Sequence, residues 1–347
     1  MHVQSLFLLL LTFCWLTPAQ GSGGRPPRDP SPPGDPATAR IAVRTFARTQ
    51  GFSRVRESEK QFHLQGQVHT LVVDKGGRRV VLNDVVLWLN QAVSVDNGHW
   101  SFAAVDVENT LLPVLKPVSG LTGRGGRVVV LDPGHGGRDS GAVAANGITE
   151  KAVCLDISLR VRRHLVAAGY TVYLTRHQDQ YLTLEERPRR AKAWNADVFV
   201  SIHANSGGNT DANGIETFLL ALPGQRSTND NSGNAPSQLV YEGNQFNSAN
   251  MTLAYALQKS MLEATKAEDR GVRRARFSIL RNAPAPSALL EVGFLSNPGE
   301  AAKLATAAHR ERLAHAIARG IDNYFTEVRR AELLVSPQSS PQASPRP

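Results

Sequence analysis

Alternating strand and helix patterns dominate the chain from residue 127 onward. The apolar run "RVVVLD" at 127–132 predicts a buried strand, and a helical pattern follows at 150–168 before the strand pattern "YTVYLTR". A second helical pattern at 183–195 precedes "DVFVSIHAN" and "GIETFLLA", and "SALLEVGF" lies between two long helical patterns at 251–267 and 299–327. Strands that alternate with helices in this way are typical of parallel sheets. The chain is therefore predicted to be an α/β protein with a largely parallel sheet flanked by helices.

Both ends of the chain have the composition of segments outside a fold. Residues 1–20 are predicted to be a signal peptide, because their apolar core is too short to span a bilayer and small residues follow it. Residues 21–39 and 335–347 are rich in Pro, Gly and Ser and are predicted to be a disordered linker and a disordered tail. The mature protein is therefore expected to be exported, to the periplasm or the cell wall.

Residues 40–118 form a separate block in the sequence. They contain "HTLVVDKGGRRVVLND", two β-rich runs around a Lys-Gly-Gly turn, and no cluster of catalytic residue types. A Gly-rich segment at 116–126 is a plausible hinge. The block is predicted to be a small β-rich accessory domain.

Charge and hydropathy restrict the partners of the chain. Its formal net charge of +9 favours an anionic partner, which leaves nucleic acid, acidic lipid and an anionic cell-wall polymer open. Basic residues are not interleaved with aromatic ones, which disfavours nucleic acid. No stretch beyond the signal peptide approaches eighteen consecutive apolar residues, so no membrane insertion is expected after its removal.

The loop "LDPGHGGRDSG" at 131–141 places His135 among four glycines. A phosphate-binding loop would require Gly-Lys-Ser/Thr or a Gly-x-Gly-x-x-Gly turn that opens directly into a helix. Neither pattern is present, and the next helical pattern begins only near Glu150. The loop is therefore interpreted as one that presents His135, with glycines that leave clearance for a bulky substrate.

Three further residues lie at the predicted start of a helix or end of a strand, and these positions meet at one edge of the sheet. Glu150 opens a helix, and His203 and Glu291 each end a strand. Ligand clefts of open α/β sheets lie at the carboxyl ends of the strands. Two imidazoles and a carboxylate are a known catalytic zinc set, and a further carboxylate can act as a general base. Taken singly, however, each residue more often makes a structural hydrogen bond or a helix-dipole contact than binds a metal.

Residues 127–325 resemble the zinc-dependent N-acetylmuramoyl-L-alanine amidases of the amidase_3 type. The resemblance is carried, in the order of that family, by "VVVLDPGHGGRDSGA", "GITEKAVCLDISLRVRRHL", "YTVYLTRHQDQYLTLEERPRRA", "ADVFVSIHANS", "GIETFLL" and "RGVRRARFSILRNAPAPSALLEVGFLSN". It implies that 127–327 is a zinc amidase catalytic domain, with His135, Glu150 and His203 as zinc ligands. Glu291, in "LLEVGF", is similar to the catalytic glutamate of the family.

The resemblance also implies a reaction and a partner. The partner is peptidoglycan, and zinc-activated water would attack the amide carbonyl between N-acetylmuramic acid and L-alanine with Glu291 as general base. A protein activator is left open. Two alternatives remain: a metal-dependent peptidase that cuts within the stem peptide, and a wall-binding protein with a decayed site. Occupation of all four site positions argues against decay.

Several secondary candidates accompany these four residues. Glu216, in "GIETF", either orients a ligand imidazole or makes a structural hydrogen bond. Cys154 is expected to be a small buried residue rather than a thiolate ligand. The polar segment 223–250 is where some family members carry a zinc-blocking helix, and no such helix is evident here. Five arginines either border the substrate groove or form a solvated face: Arg270, Arg273, Arg274, Arg276 and Arg281.

Overall fold

The computed structural model of the protein describes residues 39–117 and 127–335, with side chains described up to residue 333. Four predictions therefore fall wholly or almost wholly outside the described residues: the signal peptide at 1–20, the linker at 21–39, the tail at 335–347 and most of the hinge at 116–126. Within the described ranges, no helix is both long enough and apolar enough to span a membrane.

The described chain contains fourteen strands and nine α-helical segments. The strands are β1 (Arg40–Ala42), β2 (Phe52–Glu57), β3 (Gln61–Gly66), β4 (Thr70–Asp74), β5 (Arg79–Leu82), β6 (Val85–Trp88), β7 (Ser94–Asp96), β8 (His99–Ala103), β9 (Val128–Pro133), β10 (Thr171–Leu174), β11 (Val198–Asn205), β12 (Ile215–Leu220), β13 (Asp269–Ala275) and β14 (Ser287–Phe294). The helices are α1 (Val43–Thr49), α2 (Ala104–Asp106), α3 (Leu112–Leu115), α4 (Glu150–Ala167), α5 (Glu186–Ala193), α6 (Asn247–Thr265), α7 (Ser278–Arg281), α8 (Pro298–Ala305) and α9 (Ala307–Val335). A π-helical turn (Val107–Leu111) joins α2 to α3, and a 3-10 turn (Glu242–Phe246) precedes α6.

Eleven of these strands form one mixed sheet in the order β10-β9-β11-β14-β12-β13-β6-β5-β4-β3-β2. Strands β10, β9, β11 and β14 are mutually parallel, β12 runs antiparallel to β14, and β13 is parallel to β12. The prediction of an α/β fold with a largely parallel sheet and a smaller β-rich N-terminal region is confirmed. Because β12 runs antiparallel to β14, the start of β12 lies at the edge of the sheet where β11 and β14 end.

The N-terminal strands extend this sheet. Strand β6 lies beside β13 with Leu87 paired to Val272, and the Trp88 indole N–H donates to the Arg270 carbonyl at 2.9 Å. The backbone N–H of Val86 donates to the Asp269 carboxylate at 2.7 Å. These contacts cover the exposed edge of β13, which would otherwise present unpaired backbone groups. The division of the chain at 118 into two domains stays a prediction.

Side chains of the sheet alternate between two differently covered faces, as the two-residue strand period requires. On β14, Leu290 and Val292 belong to the large core that includes residues of α4, α6 and α9. Leu289 belongs to a smaller cluster with Ile279 and Leu280 of α7. Glu291 follows on this second face, where the covering helices are short and the end of the sheet is open to solvent.

One predicted element was wrong, and one strand was missed. The helical pattern at 299–327 is divided at Thr306, whose ψ of 134° is extended and ends α8 before α9 begins. Strand β13 was not predicted, because "DRGVRRA" contains three arginines and lacks an apolar alternation. In the structure Arg270 and Arg273 pair with Glu216, and Arg274 donates to backbone carbonyls.

Candidate metal centre

The three predicted ligand residues converge on one point. One ligand atom from each of His135, Glu150 and His203 lies within 4.8 Å of the others. His135 Nε2 lies 3.0 Å and His203 Nδ1 lies 2.9 Å from the same Glu150 oxygen, Oε1. The two imidazole rings meet edge to face with centroids 4.9 Å apart.

Each ligand residue is placed by a different element at one edge of the sheet. His203 lies near the carboxyl end of β11, and His135 follows β9, the strand beside it. Glu150 is the first residue of α4 and is 6% exposed. Residues separated by up to 68 positions in the chain thus meet because parallel strands end at the same edge.

His135 has a left-handed backbone conformation, with φ of 58°. Such a conformation is uncommon for a residue other than glycine and persists where surrounding contacts impose it. The imidazole is also fixed from its far side, because His135 Nδ1 lies 2.9 Å from Asp139 Oδ2. A proton on Nδ1 that is donated to Asp139 leaves Nε2 as the metal-binding nitrogen. The sequence analysis did not identify Asp139, although its position four residues after His135 was a usable signal.

Two buried arginines hold the backbone around His135. Arg187 pairs with Asp132 at 2.9 Å and donates to the His135 carbonyl at 2.9 Å. Arg176 donates to the Gly134 carbonyl at 2.6 Å and to that of Pro133 at 3.1 Å. These contacts satisfy carbonyls that would otherwise be buried without a donor. They explain how a loop with four glycines keeps one conformation.

The predicted role of the loop glycines was wrong. A Cβ on Gly134 would lie 2.4 Å from the His203 ring, and a Cβ on Gly141 would lie 2.5 Å from Glu150 Oε2 and 2.6 Å from the His135 ring. Protein atoms, not substrate, therefore occupy the space that these glycines leave. Because these glycines have no side chains, the loop packs directly against the ligand residues.

Glu150 is held as an anion. Burial opposes its ionisation, but the hydrogen bonds with His135 and His203 outweigh burial and hold the pKa of Glu150 well below its usual range. The backbone N–H groups of Ala142 and Ala204 donate to its two oxygens at 3.0 and 3.2 Å. An ionised carboxylate in this position is ready to bind a cation.

Glu291 lies beside this group in the middle of a row across the sheet. It is paired in register with His203 on β11 and with Glu216 on β12. Its Oε2 atom is buried and has no hydrogen-bond partner among the described residues. Burial, together with the charges of Glu150 and Glu216, raises the pKa of Glu291 well above its usual range. A carboxyl group with a raised pKa holds a proton more readily than an ordinary glutamate, which suits a group that takes up and releases a proton.

Glu216 contacts side chains other than the ligand imidazoles. It is 3% exposed, accepts a hydrogen bond from the Asn205 amide at 2.7 Å, and pairs with Arg270 at 3.3 Å and Arg273 at 3.0 Å. His203 Nδ1 instead faces Glu150. The structure therefore gives Glu216 the hydrogen-bonding role, with two arginines as partners.

The other secondary candidates lie away from the ligand group. Cys154 is fully buried, and burial raises the pKa of its thiol well above the usual range, so it is a neutral core residue. Arg274 is 2% exposed and donates to the carbonyls of Leu220 and Asn109, which excludes a solvated face at that position. Within segment 223–250, no carboxylate belongs to the described ligand group.

The donor set and the surroundings fit a zinc ion. Two imidazole nitrogens and one carboxylate oxygen are a catalytic zinc set that leaves a fourth position open. Gly134 and Gly141 let the loop pack against the ligand side chains, since a Cβ at either position would collide with the His203 ring or with Glu150 and His135. Glu291, the register partner of His203, adds a buried carboxyl oxygen that has no hydrogen-bond partner among the described residues.

A family model described as Amidase_3, N-acetylmuramoyl-L-alanine amidase, matches residues 129–323, more than half of the chain. The chain belongs to the Amidase_3 family. Its identification as an amidase, a hydrolase, follows from this membership and confirms the predicted enzyme class. The match begins at 129 and leaves the N-terminal block unassigned.

Two relatives and one solved structure each match 57% or 58% of this chain. The chain is 37% identical over 202 residues to the uncharacterized protein YqiI of Bacillus subtilis, covering 58% of this chain and 86% of that protein. It is 36% identical over 225 residues to the N-acetylmuramoyl-L-alanine amidase AmiC of Neisseria meningitidis, covering 58% of this chain and 54% of that protein. The solved N-acetylmuramoyl-L-alanine amidase AmiC2 of Nostoc punctiforme is 34% identical, with a TM-score of 0.49 over 57% of this chain and 97% of that one. The chain thus spans about half the length of the Neisseria protein.

Proposed function

We propose that the chain is an exported zinc hydrolase that cleaves the amide bond between N-acetylmuramic acid and L-alanine in peptidoglycan. The observation that carries the proposal is the convergence of His135, Glu150 and His203 beside the unpartnered carboxyl oxygen of Glu291. Family membership supports the reaction class. The excess of positive charge suits an anionic wall polymer.

The zinc ligands in this proposal are His135, Glu150 and His203. When bound, zinc lowers the pKa of a water ligand to about 7 and polarises a carbonyl group, which an unreactive amide requires. Asp139 holds the His135 ring so that Nε2 faces the metal position. Arg176 and Arg187 hold the backbone that carries this ring.

Glu291 is the proposed general base. Its raised pKa lets it accept a proton from the attacking water and deliver that proton to the leaving nitrogen of L-alanine. Its place on β14, in register with His203, fixes the distance between base and metal ligand by the sheet itself. The same carboxyl group thus acts first as general base toward water and then as general acid toward the leaving nitrogen.

Digestion of purified peptidoglycan, with mass analysis of the soluble products, tests this proposal. We expect intact stem peptides that begin with L-alanine, released by the zinc-loaded protein and not by Glu291→Gln. A chelator should stop the release, and added Zn²⁺ should restore it. Shortened stems left on the glycan would instead identify a peptidase with the same metal site, and unchanged peptidoglycan would refute the amidase assignment.

Export is part of the same proposal and has its own test. We expect the protein isolated from the cell envelope or the medium to begin near residue 21, because the segment 1–20 has the composition of a signal peptide. Sequencing of its N-terminus checks this. A cytoplasmic protein that retains Met1 would contradict it.

A further inference from the structure

A cleft of about 590 Å³ lies where the N-terminal strands join the catalytic sheet. Strands β5 and β6 supply an apolar floor beside β13, and three arginines surround it. Its lining includes Val81, Val86, Trp88, Arg79, Arg270 and Arg273. The family match begins at 129, so the family model does not include the strands β5 and β6 that form the N-terminal half of this cleft.

The cleft lies on the face of the sheet that carries Glu291. His203, Glu291 and Glu216 are register partners on successive strands, and Gly271 is the partner of Glu216 on β13. A Cβ on Gly271 would lie 2.7 Å from Val86 Cγ1, so Val86 on β6 continues the row. Gly271 has no side chain and Val86 fills the space beside it, so Glu291, Glu216 and the floor of the cleft lie in one row across this face of the sheet.

Strand spacing gives the length of this row. Neighbouring strands lie about 4.8 Å apart, so three steps from β14 to β6 correspond to roughly 14 Å. An extended peptide advances about 3.4 Å per residue. A peptide that starts at the amide beside Glu291 and crosses the strands would therefore place roughly its third to fifth residues in the cleft.

The arginines of the cleft have unused hydrogen-bonding capacity. Arg79 is 42% exposed, and its recorded ion pair is a long one of 3.6 Å to Asp74. Arg270 and Arg273 share the Glu216 carboxylate through their Nε atoms, and among the described residues no hydrogen bond is recorded from the Nη2 atom of either. Guanidinium groups bind carboxylates with two parallel hydrogen bonds.

Trp88 fixes the position of this cluster. The Arg273 guanidinium lies 4.9 Å from the centre of its ring, and the indole N–H donates to the Arg270 carbonyl. Three carboxylates also line the cleft: Asp84 and Glu268, which are exposed, and Asp269, which is half-buried and accepts from the Val86 N–H. Their presence suits a peptide that carries amino groups as well as carboxylates.

The geometry points to a peptide-binding subsite in which Arg79, Arg270 and Arg273 bind carboxylates of the stem peptide distal to the cleaved amide. This inference rests on the proposed function and adds a role for the N-terminal block, which shapes the subsite with β5 and β6. In uncleaved peptidoglycan the lactyl carboxyl group of N-acetylmuramic acid is masked by the amide, so the glycan offers hydroxyl and acetamido groups, whereas the stem peptide ends in a free carboxylate.

Binding of a free stem tetrapeptide, measured by titration calorimetry on the metal-free full chain, tests the inference without relying on catalysis. The peptide is compared with the same peptide in which every distal carboxylate is a carboxamide. We expect the acid to bind more tightly. Arg79→Gln should reduce that preference about fivefold, the size expected for loss of one partly exposed ion pair. Arg79→Lys keeps the charge but loses the forked guanidinium geometry. Its preference for the acid should therefore lie between those of the wild type and of Arg79→Gln.

Arg56→Gln is the matched control, because Arg56 is an exposed arginine on β2 outside the cleft. It should keep the wild-type preference, and thermal melting of all variants confirms that they fold. Equal affinity for acid and amide, an unchanged preference in Arg79→Gln, or equal competition by an oligomer of N-acetylglucosamine, which has no carboxylate, would overturn the inference. A preference for the acid without release of stem peptides from peptidoglycan would refute the amidase proposal and leave the carboxylate subsite standing.

Discussion

His203 and Glu291 are register partners on the adjacent parallel strands β11 and β14. Partners in register present their side chains on the same face of a sheet, about one strand spacing apart. The proposed metal-ligand position and the proposed proton-transfer position are therefore fixed by backbone hydrogen bonds rather than by loops. This rigidity explains why the loop residues of the site, His135 among them, are the ones that need extra contacts to hold them.

Replacement of Glu291 by Gln should abolish turnover without removing the metal. The carboxyl group is not one of the converging ligands, so metal content should stay near that of the wild type. Loss of a general base lowers rates about 10²- to 10⁴-fold. Release of stem peptides and elemental analysis of the purified protein measure the two quantities. Activity within twofold of the wild type would sink the assignment of Glu291, and Glu59→Gln, at an exposed position, is the control.

Replacement of His135 or His203 by Ala should remove the metal itself. Each variant loses one of three ligands, and metal content should fall from about one ion per chain to near zero at limiting zinc. Added zinc should raise the melting temperature of the wild type, since a ligand that binds the native state stabilises it, and should not raise that of the variants. His63→Ala removes an exposed histidine on β3 and should behave as the wild type. Full zinc binding by either site variant would contradict the ligand set.

The four central positions could be predicted because each carries a local signal. His203 and Glu291 end apolar strands, and Glu150 begins an amphipathic helix, so the topology rule for α/β sheets places them at one edge. Resemblance to the family then assigned the roles. The structure brings all four together, as expected from the sequence.

Other features depend on contacts that the sequence does not display. Arg176 and Arg187 occupy positions typical of solvated charges, yet they are 1% and 3% exposed and bind the backbone next to His135. The continuation of the sheet from β13 to β6 joins segments that are about 180 residues apart, and the charged sequence of β13 conceals its strand character. Long-range pairing of this kind is set by tertiary packing, which periodicity cannot reveal.

Asp139→Asn should weaken zinc binding without abolishing it. Asp139 accepts from the Nδ1 side of His135, and loss of the charged partner removes the contact that orients the ring and makes its other nitrogen a stronger ligand. Affinity for zinc should fall about 10- to 100-fold. Competition with a chromophoric chelator measures it. Asp96→Asn, at an exposed position on β7, should leave affinity unchanged, and an unchanged affinity in Asp139→Asn would show that the contact has no role in metal binding.

Glu216→Gln should shift the acidic limb of the kcat/KM pH profile to lower pH. Burial and the neighbouring charges of Glu150 and Glu216 raise the pKa of Glu291. A general base must be ionised to act, so kcat/KM should fall as the pH decreases through this raised pKa, at a higher pH than for an ordinary glutamate. Removal of the Glu216 charge lessens the repulsion, lowers the pKa of Glu291 and shifts the limb to lower pH. The profile is measured at fixed zinc, with Glu59→Gln as the control for loss of a distant charge. A limb that stays in place, or that moves to higher pH, would mean that Glu216 does not act on the base through its charge.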